Sequence, residues 1–318
     1  MTRKAILRGV GHYLPERVVE NAELESMVET SDEWIKSRSG IERRHFAAEG
    51  ELTSDLAIHA ANAALADAGF TADQIDALVV ATSTPDTTFP SVATIVQGAL
   101  GTQGFAFDVQ AVCAGFVFAM ATANSFISSG QSQRVLVIGA ETFSRIMNWE
   151  DRTTCVLFGD GAGAIVLEAG EGDAGILATD LNSDGRFRDL LYVDGGVSST
   201  QTSGVLVMQG KEVFRHAVEK LAQTAETALE KAGLTAADVD WIVPHQANSR
   251  IITRTAQKMG VSMDHVVMTV QDHGNTSAAS IPLALSVAKT EGKFQPGQVL
   301  VMEAIGGGLA WGAVVLRL

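Results

Sequence analysis

The chain has 318 residues, 46% of them hydrophobic and 19% charged, which is typical of compact globular proteins and excludes a disordered chain. Its formal net charge of -14 argues against nucleic acid as the main partner, because clustered Lys and Arg hold phosphate backbones. Two cysteines are too few for a disulfide framework. Residues 1–8 lack the apolar stretch of a signal peptide, so we expect a cytoplasmic protein.

Helices and short apolar strands alternate along the first half of the chain. Apolar residues at helical spacing predict a helix over 55–68 that ends at Gly69. A second helix is predicted to begin near Cys113 and to run to about Ser128. The strands predicted in this half cover 77–81, 105–109, 134–139 and 164–167.

The second half has the same alternation. A helix is predicted over 213–232, Gly233 stops it, and a strand follows over 241–243. Further strands are predicted over 266–270, 299–302 and 313–316. Alternation of this kind indicates an α/β fold whose sheets are largely parallel and layered with helices.

The two halves also resemble each other in sequence. At a shift of 164 positions, residues 68–81 match 232–245 with six identities in fourteen. The length also predicts about two domains. We therefore expect two duplicated α/β halves, 1–172 and 173–318, packed face to face as a layered sandwich. At a different shift, 163–167 resembles 312–316, which indicates about fifteen extra residues in the first copy around 143–154.

The same shift of 164 places chemically active residues of one copy on different residues of the other. It puts Cys113 on Ser277, Ala111 on Asn275 and Ala81 on His245. The cysteine thus belongs to one copy, and the histidine and asparagine belong to the other. A site that joins all three would lie where the copies meet.

Cys113 is the candidate nucleophile. It lies where an apolar strand changes into a helix, and the helix N-terminus favours the thiolate over the thiol. The alternative is a small buried hydrophobic residue. Cys155 is predicted to begin an ordinary buried strand and is assigned to packing.

His245 and Asn275 follow strands at turns. Ligands and catalytic groups collect at the carboxyl ends of strands in α/β folds. A turn asparagine beside a glycine, as in Gly274-Asn275, is by itself usually only turn chemistry. The runs 159–163 and 306–308 do not fit phosphate loops, because each leads into a strand and neither is followed by Lys-Ser or Lys-Thr. They are better explained as tight turns beside a crowded site.

These segments together resemble the β-ketoacyl-acyl-carrier-protein synthase III family of the thiolase superfamily. The motifs that carry the resemblance are 30–35 with 38–41, the Cys113 turn, 158–164, 244–248, 274–278 and 306–312. The resemblance implies a thiolase-like fold and a homodimer. It also implies an enzyme that takes an acyl group from acyl-CoA and condenses it with malonyl-acyl carrier protein, starting fatty acid synthesis.

The residues fit this chemistry. Cys113 would attack the thioester, and the N–H groups of Cys113 and Gly307 would hold the oxyanion. Neutral His245 and the Asn275 amide would donate to the enolate oxygen formed when the malonyl group loses CO2. No metal or redox cofactor is required, since the coenzyme A thioester is a substrate.

Similarity also implies a coenzyme A site. Trp34 and Arg152 would sandwich the adenine, and Thr30 and Arg38 would lie nearby. The pantetheine tunnel would be lined by Gly210, Phe214, Ala247 and Asn248. Trp34 and Arg38 are four residues apart, so they share a face of the helix predicted after Ser31. That helix could alternatively pack Trp34 inward.

A basic stripe on this acidic chain predicts carrier-protein docking. Arg250, Arg254 and Lys258 recur every four residues, and Lys211 and Arg215 would extend the stripe near the tunnel mouth. Gln246 is assigned to the same surface. The alternative is an ordinary solvated helix face.

Related activities remain as alternatives. Thiolases use a second cysteine beside the C-terminal glycines, which this chain lacks, and elongating synthases use a second histidine in place of Asn275. Plant-type polyketide synthases share a Cys-His-Asn set, so a condensing enzyme of secondary metabolism is the second hypothesis. A cysteine hydrolase and an inert acyl-binding subunit are further alternatives from other classes.

Two departures from the family pattern and one match concern the acyl pocket. Val112 precedes the nucleophile where a smaller residue is expected, and Ser249 stands where an apolar residue is common. Phe89 resembles the family residue that reaches across the dimer to close the acyl pocket. It favours a short primer such as acetyl.

Overall fold

Two mixed β-sheets, one from each half of the sequence, form the framework of the protein. A computed structural model describes residues 3–318. The strands are β1 (Lys4–Tyr13), β2 (Arg17–Glu20), β3 (Arg43–Phe46), β4 (Ala77–Ala81), β5 (Phe105–Val109), β6 (Arg134–Thr142), β7 (Asp160–Gly170), β8 (Gly175–Ser183), β9 (Leu191–Val193), β10 (Leu206–Met208), β11 (Trp241–Pro244), β12 (Val299–Gly306) and β13 (Ala310–Arg317).

Helices surround and separate the sheets. They are α1 (Asn21–Leu24), α2 (Asp32–Ser39), α3 (Thr53–Ala68), α4 (Val92–Leu100), α5 (Gly115–Ser128), α6 (Gly210–Lys231), α7 (Ser249–Met259), α8 (Val270–His273) and α9 (Ser280–Thr290). Between residues 3 and 318, every helix is too short or too polar to cross a membrane.

The sheets are mixed rather than largely parallel. The first has the strand order β1-β7-β6-β4-β5, and the second has the order β11-β12-β13-β8. β4 runs parallel to β5 and β6, and β11 runs parallel to β12, but β7 and β13 are antiparallel to all of their neighbours. The predicted parallel arrangement was therefore wrong for half of the framework. The turn between β12 and β13 is too short for a crossover and can only join antiparallel strands.

The sheets and helices stack in five layers. α5 and α9 lie between the two sheets, and their apolar residues share one core with Val137 of β6 and Met302 of β12. α3 and α4 cover the outer face of the first sheet, and α6 and α7 cover that of the second. This arrangement confirms a layered sandwich of two α/β halves, and all strands of each large sheet lie on one side of residue 172.

Most predicted strands are present, but two predictions were wrong. Val266 makes only an isolated bridge to Ile242, and Val270 begins α8. The side chain of Gln246 accepts hydrogen bonds from the N–H groups of Thr269 and Val270, so these groups are not free for a strand ladder. Cys155 is fully buried, as expected for packing, but it lies in a turn and not in a strand.

The internal repeat is offset by one residue at the nucleophile. One-turn 3₁₀ helices cover Val112–Ala114 and Ser277–Ala279, and each begins with a residue at φ +50°. Val112 is therefore equivalent to Ser277, and Cys113 is equivalent to Ala278. The strand pairing shows the same offset. Ala77 of β4 corresponds to Trp241 of β11 at a shift of 164, but their pairing partners, Val135 and Leu300, correspond at a shift of 165. The predicted match of Cys113 with Ser277 was wrong because the second copy has one more residue after β11.

Candidate active site

Cys113 lies in the turn between β5 and α5, with 4% of its surface exposed. The preceding residue, Val112, has a φ of +50°, a strained value for a β-branched residue. A Cβ on Gly306, at the end of β12, would lie 2.6 Å from the backbone nitrogen of Cys113. Only a glycine at position 306 allows β12 to approach the backbone of the nucleophile this closely.

Burial dominates the ionisation of the Cys113 thiol. Desolvation raises its pKa to about 12, although the Ser277 hydroxyl and the backbone N–H of Cys113 act in the opposite direction. Burial therefore opposes the effect of the helix N-terminus, which favours the thiolate.

His245 follows β11 and is 4% exposed. Its Nδ1 lies 2.7 Å from Oγ of Ser280, the first residue of α9. The same hydroxyl accepts a hydrogen bond from the N–H of Gln246 at 3.2 Å. Burial lowers the pKa of His245 to about 3, so the imidazole is neutral at physiological pH.

Asn275 lies in the turn after α8 and is 6% exposed. Its backbone N–H donates to the carbonyl of Leu157 at 2.8 Å, and its carbonyl accepts from the N–H of Gly159 at 3.0 Å. Its Oδ1 accepts from the N–H of Ser277 at 2.9 Å. Because the oxygen is fixed in this way, the NH2 group of the amide is the side-chain donor that points elsewhere.

The elements that carry Cys113, His245 and Asn275 meet between the two sheets. The 3₁₀ turn after Asn275 leads directly into Ser280, which contacts His245. A Cβ on Gly115, two residues after Cys113, would lie 3.5 Å from Cβ of Ala278 in that turn. The structure thus brings the three predicted residues to one buried region formed by both halves.

Glu141 is a buried residue of this region that the sequence reasoning missed. It is the penultimate residue of β6 and is fully buried, and its Oε2 accepts from Oγ1 of Thr84 at 2.6 Å and from the N–H of Ser83 at 3.0 Å. Desolvation raises its pKa to about 7, although contacts with Thr84, Ser83 and Ser277 oppose that rise. The available signal was a single carboxylate at the end of an otherwise apolar strand.

The residues assigned to adenine come together at the protein surface. The guanidinium carbons of Arg38 and Arg152 each lie 5.2 Å from the centroid of the Trp34 ring. Arg152 also donates to the carbonyl of Glu29 at 2.9 Å. Oγ1 of Thr30 is a buried atom without a hydrogen-bond partner within the described residues. The ring of Trp34 packs at the edge of the core, as its alternative assignment predicted, and still presents a face to both arginines.

The residues assigned to the pantetheine tunnel lie on neighbouring elements. Gly210 and Phe214 belong to the start of α6, and Ala247 and Asn248 connect β11 to α7. The guanidinium carbon of Arg250 lies 5.7 Å from the Phe214 ring centroid, which links the two helices. Oδ1 of Asn248 caps α7 by accepting from the N–H of Ile251 at 3.0 Å.

All but one of the residues predicted to dock a carrier protein are exposed. Arg250, Arg254 and Lys258 are exposed on α7, and none of the three forms an ion pair within residues 3–318. On α6, Lys211 and Arg215 are also exposed, and Arg215 pairs with Glu212 at 2.7 Å.

Assigning Gln246 to docking was wrong. Its side chain is 1% exposed, and its amide is saturated by four hydrogen bonds, to the carbonyls of Pro244 and Val267 and from the N–H groups of Thr269 and Val270. Gln246 therefore fixes the loop after β11 against the start of α8. Ser249, which departs from the family pattern, packs against Gly40, the residue that caps the end of α2.

A cavity of about 920 Å³ begins beside the nucleophile. Its lining includes Val112, Phe143, Ile146, Leu191 and Leu206 together with Thr87 and Thr88. Phe89 is 82% exposed and does not belong to this lining in its own chain. The cavity therefore opens at the surface near an exposed aromatic side chain.

Comparisons with known proteins agree with this arrangement. The family models for the 3-oxoacyl-[acyl-carrier-protein] synthase III domain and for its C-terminal domain match residues 107–185 and 229–318. The β-ketoacyl-[acyl-carrier-protein] synthases III of Cereibacter sphaeroides and Ruegeria pomeroyi are each 73% identical to this chain, with 100% of both chains covered.

Solved structures give the same result. The 3-oxoacyl-[acyl-carrier-protein] synthase III of Aquifex aeolicus has a TM-score of 0.95 at 45% identity and covers 99% of this chain and 100% of its own. The priming β-ketosynthase of the R1128 polyketide pathway has a TM-score of 0.94 at 36% identity, with 100% and 97% covered. The chain thus belongs to the β-ketoacyl-acyl-carrier-protein synthase III family of thiolase-fold condensing enzymes.

Proposed function

We propose that the protein condenses an acyl-CoA primer, with acetyl-CoA as the preferred one, with malonyl-acyl carrier protein. The products are a 3-oxoacyl-acyl carrier protein, coenzyme A and CO2, and the reaction initiates type II fatty acid synthesis. The observation that carries this proposal is a neutral histidine and an oriented asparagine amide beside a buried cysteine.

In the first half-reaction, the sulfur of Cys113 attacks the thioester carbon of acyl-CoA. The tetrahedral oxyanion forms beside the N–H groups of Cys113 and Gly307, and the close contact of Gly306 with the Cys113 backbone supports this pairing. The carbon–sulfur bond to coenzyme A then breaks, and coenzyme A leaves as the thiol with the proton from Cys113. The product is acyl-Cys113.

In the second half-reaction, the malonyl thioester loses CO2 and becomes an enolate. The hydroxyl of Ser280 already accepts from Gln246, so its hydrogen is available to Nδ1 of His245, and Nε2 then carries the ring hydrogen. Nε2–H and the NH2 of Asn275 donate to the enolate oxygen. The enolate carbon attacks the acyl group, and Cys113 leaves as a thiolate that takes up one proton from water, which restores the thiol for the next turnover. These steps use protein groups alone.

The coenzyme A nucleotide is proposed to bind at Trp34. Two arginines stand over its ring, and one of them, Arg152, belongs to the segment that only the first copy has. An adenine ring would replace one guanidinium contact by stacking between Trp34 and Arg152. The pantetheine arm would then pass Gly210, Phe214, Ala247 and Asn248.

The acidic carrier protein is proposed to dock on α7. The exposed cations Arg250, Arg254 and Lys258 without acidic partners favour this role over an ordinary solvated face, where ion pairs with neighbouring carboxylates are common. Arg250 also contacts Phe214, so carrier binding and the tunnel would be adjacent.

A homodimer is proposed because the edge of strand β5 and the side chain of Phe89 are both available to a second copy of the chain. Within residues 3–318, strand β5 pairs only with β4 and leaves an open edge whose residues are half-buried, among them Phe105 and Phe107. Pairing of β5 with its copy would close that edge. Phe89 would then reach the acyl cavity of the second subunit.

Priming of a polyketide pathway is the second candidate. The R1128 priming ketosynthase is similar over the whole chain, and a cavity of about 920 Å³ is far larger than a two-carbon acyl group. The partner's Phe89 would fill part of this space. A primer longer than acetyl would favour this second function.

The experiment is a comparison of half-reactions with a panel of acyl-CoAs from acetyl to octanoyl. Acylation of the protein and release of CO2 from malonyl-acyl carrier protein are measured separately. We expect Cys113→Ala to abolish acylation, and His245→Ala and Asn275→Ala to suppress CO2 release while acylation persists. Hydrolysis to free acid without CO2 release would contradict the proposal, and preference for longer primers would support the second candidate.

A further inference from the structure

Arg44, in β3, is the largest of the fully buried side chains. Its guanidinium bonds only to neutral oxygens: Nη1 donates to Oδ1 of Asn21 at 2.7 Å and to the carbonyl of Val19 at 3.3 Å, and Nη2 donates to the carbonyl of Val156 at 2.7 Å. Within residues 3–318 it has no carboxylate partner. A buried cation without a counter-charge costs folding free energy, so a role other than stabilisation is expected for it.

The bond from Arg44 to Val156 leads directly to Asn275. The carbonyl of the next residue, Leu157, accepts the N–H of Asn275, and the N–H of Gly159 donates to the carbonyl of Asn275. Both backbone groups of Asn275 are therefore held by a short segment, 157–159. Arg44 binds the carbonyl of Val156, the residue directly before that segment.

The aliphatic part of Arg44 packs against the segment 157–159 and against Gly274, the residue before Asn275. A Cβ on Gly159 would lie 3.0 Å from Cβ of Arg44, and a Cβ on Gly274 would lie 3.2 Å from it. Gly274 also has a φ of +66°, in the left-handed region that favours glycine. The stem of Arg44 thus lies directly beneath the turn that carries Asn275.

On its other side, Arg44 is connected to α2. Asn21, which accepts from Nη1, donates through Nδ2 to Oδ1 of Asp32 at 2.9 Å and to the carbonyl of Ile41 at 2.8 Å. Asp32 is the first residue of the helix that carries Trp34 and Arg38. Arg44 therefore lies between the helix assigned to coenzyme A and the turn assigned to the enolate.

We propose that Arg44 is a positioning residue that holds the Asn275 turn in place for the decarboxylation half-reaction. This inference rests on the proposed function of Asn275. Cys113 and Gly307, which serve acylation, lie on the 3₁₀ turn after β5 and at the end of β12, and neither belongs to the hydrogen bonds of Arg44. Loss of Arg44 should therefore affect the two half-reactions unequally.

The test compares Arg44→Met and Arg44→Lys with the unaltered full-length protein. The rate of Cys113 acylation by acetyl-CoA and the rate of CO2 release from malonyl-acyl carrier protein are measured for each. We expect Arg44→Met to slow CO2 release by roughly tenfold or more and acylation by less than about twofold, because displacing a catalytic group slows the step it serves. Arg44→Lys should recover part of the loss, since an ammonium can still reach one carbonyl.

A matched control separates positioning from stability. Thr224→Val removes a buried hydrogen bond of 2.6 Å from Oγ1 to Oδ2 of Asp180, in the outer layer of the second half. We expect it to lower the melting temperature without changing the ratio of the two rates. If Arg44→Met does not fold, Asn21→Ala, which removes one acceptor of the guanidinium, should change the ratio in the same direction by a smaller factor.

Two outcomes would overturn the proposal for Arg44: an unchanged ratio in the folded variants, or an equal loss of both rates. Asn275→Ala distinguishes that failure from failure of the proposed function. If Asn275→Ala itself leaves CO2 release unchanged, the role of Asn275 is wrong. If Asn275→Ala suppresses CO2 release and the Arg44 variants do not, only the role of Arg44 is wrong.

Discussion

Nδ1 of His245 and Oγ of Ser280 lie 2.7 Å apart, and the same hydroxyl receives the N–H of Gln246. This contact joins the end of β11 to the start of α9. A hydroxyl that accepts from the backbone still has its hydrogen to donate to Nδ1. Donation to Nδ1 leaves the ring hydrogen on Nε2, which is the form of His245 that can donate to an enolate.

The first prediction concerns this contact. Ser280→Ala should slow CO2 release from malonyl-acyl carrier protein by roughly tenfold, since the imidazole loses the bond that fixes its hydrogen and its orientation, and acylation of Cys113 should persist. The same helix offers a matched control in Ser286→Ala, which removes a 2.7 Å contact with Nδ1 of His12 outside the site. Equal effects of the two variants on CO2 release would contradict the role of Ser280.

The second prediction concerns pH and His245. Burial holds its pKa at about 3 in the folded protein, below the ordinary value of 6.5. As the pH falls below 6.5, the imidazole takes up a proton in the unfolded chain but not in the folded protein. The free energy of unfolding therefore decreases between pH 6.5 and about pH 3. At pH 5 this loss amounts to about 2 kcal/mol.

Chemical denaturation of the unaltered protein and of His245→Gln at pH 5 and pH 7 measures this contribution. The variant should lose less stability between the two pH values, because glutamine does not titrate. CO2 release should also show no decline near pH 6.5 that arises from the imidazole. A decline in CO2 release of the unaltered protein centred near pH 6.5 would contradict a neutral His245.

How far the sequence predicts the site depends on the kind of residue. Cys113 and His245 could be found because each follows a strand at a turn, where side chains are free for chemistry. Asn275 also lies at a turn, but the helix α8 precedes it and not the predicted strand. The offset by one residue could not be found, since it arises from one extra residue after β11 that the alignment of apolar strands does not detect. Apolar runs predicted seven of the nine strands in the two large sheets and missed β1 and β8. The predicted parallel direction holds only for β4 with β5 and β6 and for β11 with β12.

Polar residues inside the fold were the main source of error. Gln246 was assigned to the docking surface, but four hydrogen bonds satisfy its side chain in the interior. Two of them also explain why 266–270 is not a strand. Arg44 and Glu141 were missed because the main-chain and hydroxyl groups that bind them lie far away in sequence.

The third prediction concerns Glu141. Burial raises its pKa from 4.5 to about 7, so the unfolded chain releases the proton first as the pH rises, and the folded state loses stability between these values. Glu141→Gln keeps an oxygen for Thr84 and Ser83 and cannot ionise. The variant should therefore gain stability relative to the unaltered protein between pH 5 and pH 8, by about 3 kcal/mol at most.

Denaturation at both pH values tests this expectation, and Glu219→Gln, on the exposed face of α6, controls for the loss of one negative charge. A difference between Glu141→Gln and the unaltered protein that is the same at pH 5 and pH 8 would show that Glu141 does not titrate in this range.

The fourth prediction concerns the exposed cations of α7. Arg250→Glu should raise the KM for malonyl-acyl carrier protein by roughly tenfold, because it places a negative charge opposite an acidic partner, and should leave acylation by acetyl-CoA within about twofold. Lys293→Glu makes the same change of charge outside α7 and should alter neither value. Equal losses of both half-reactions in Arg250→Glu would argue against docking on this helix.

Cys113 is proposed to carry the acyl group between the two substrates. Intact mass spectrometry of the protein after incubation with acetyl-CoA tests it most directly, with peptide mapping to locate the adduct and with subsequent addition of malonyl-acyl carrier protein. We expect one acetyl group on Cys113. It should disappear when malonyl-acyl carrier protein is added, as 3-oxobutanoyl-acyl carrier protein and CO2 are formed. An adduct on another residue, or one that malonyl-acyl carrier protein does not discharge, would contradict this role of Cys113.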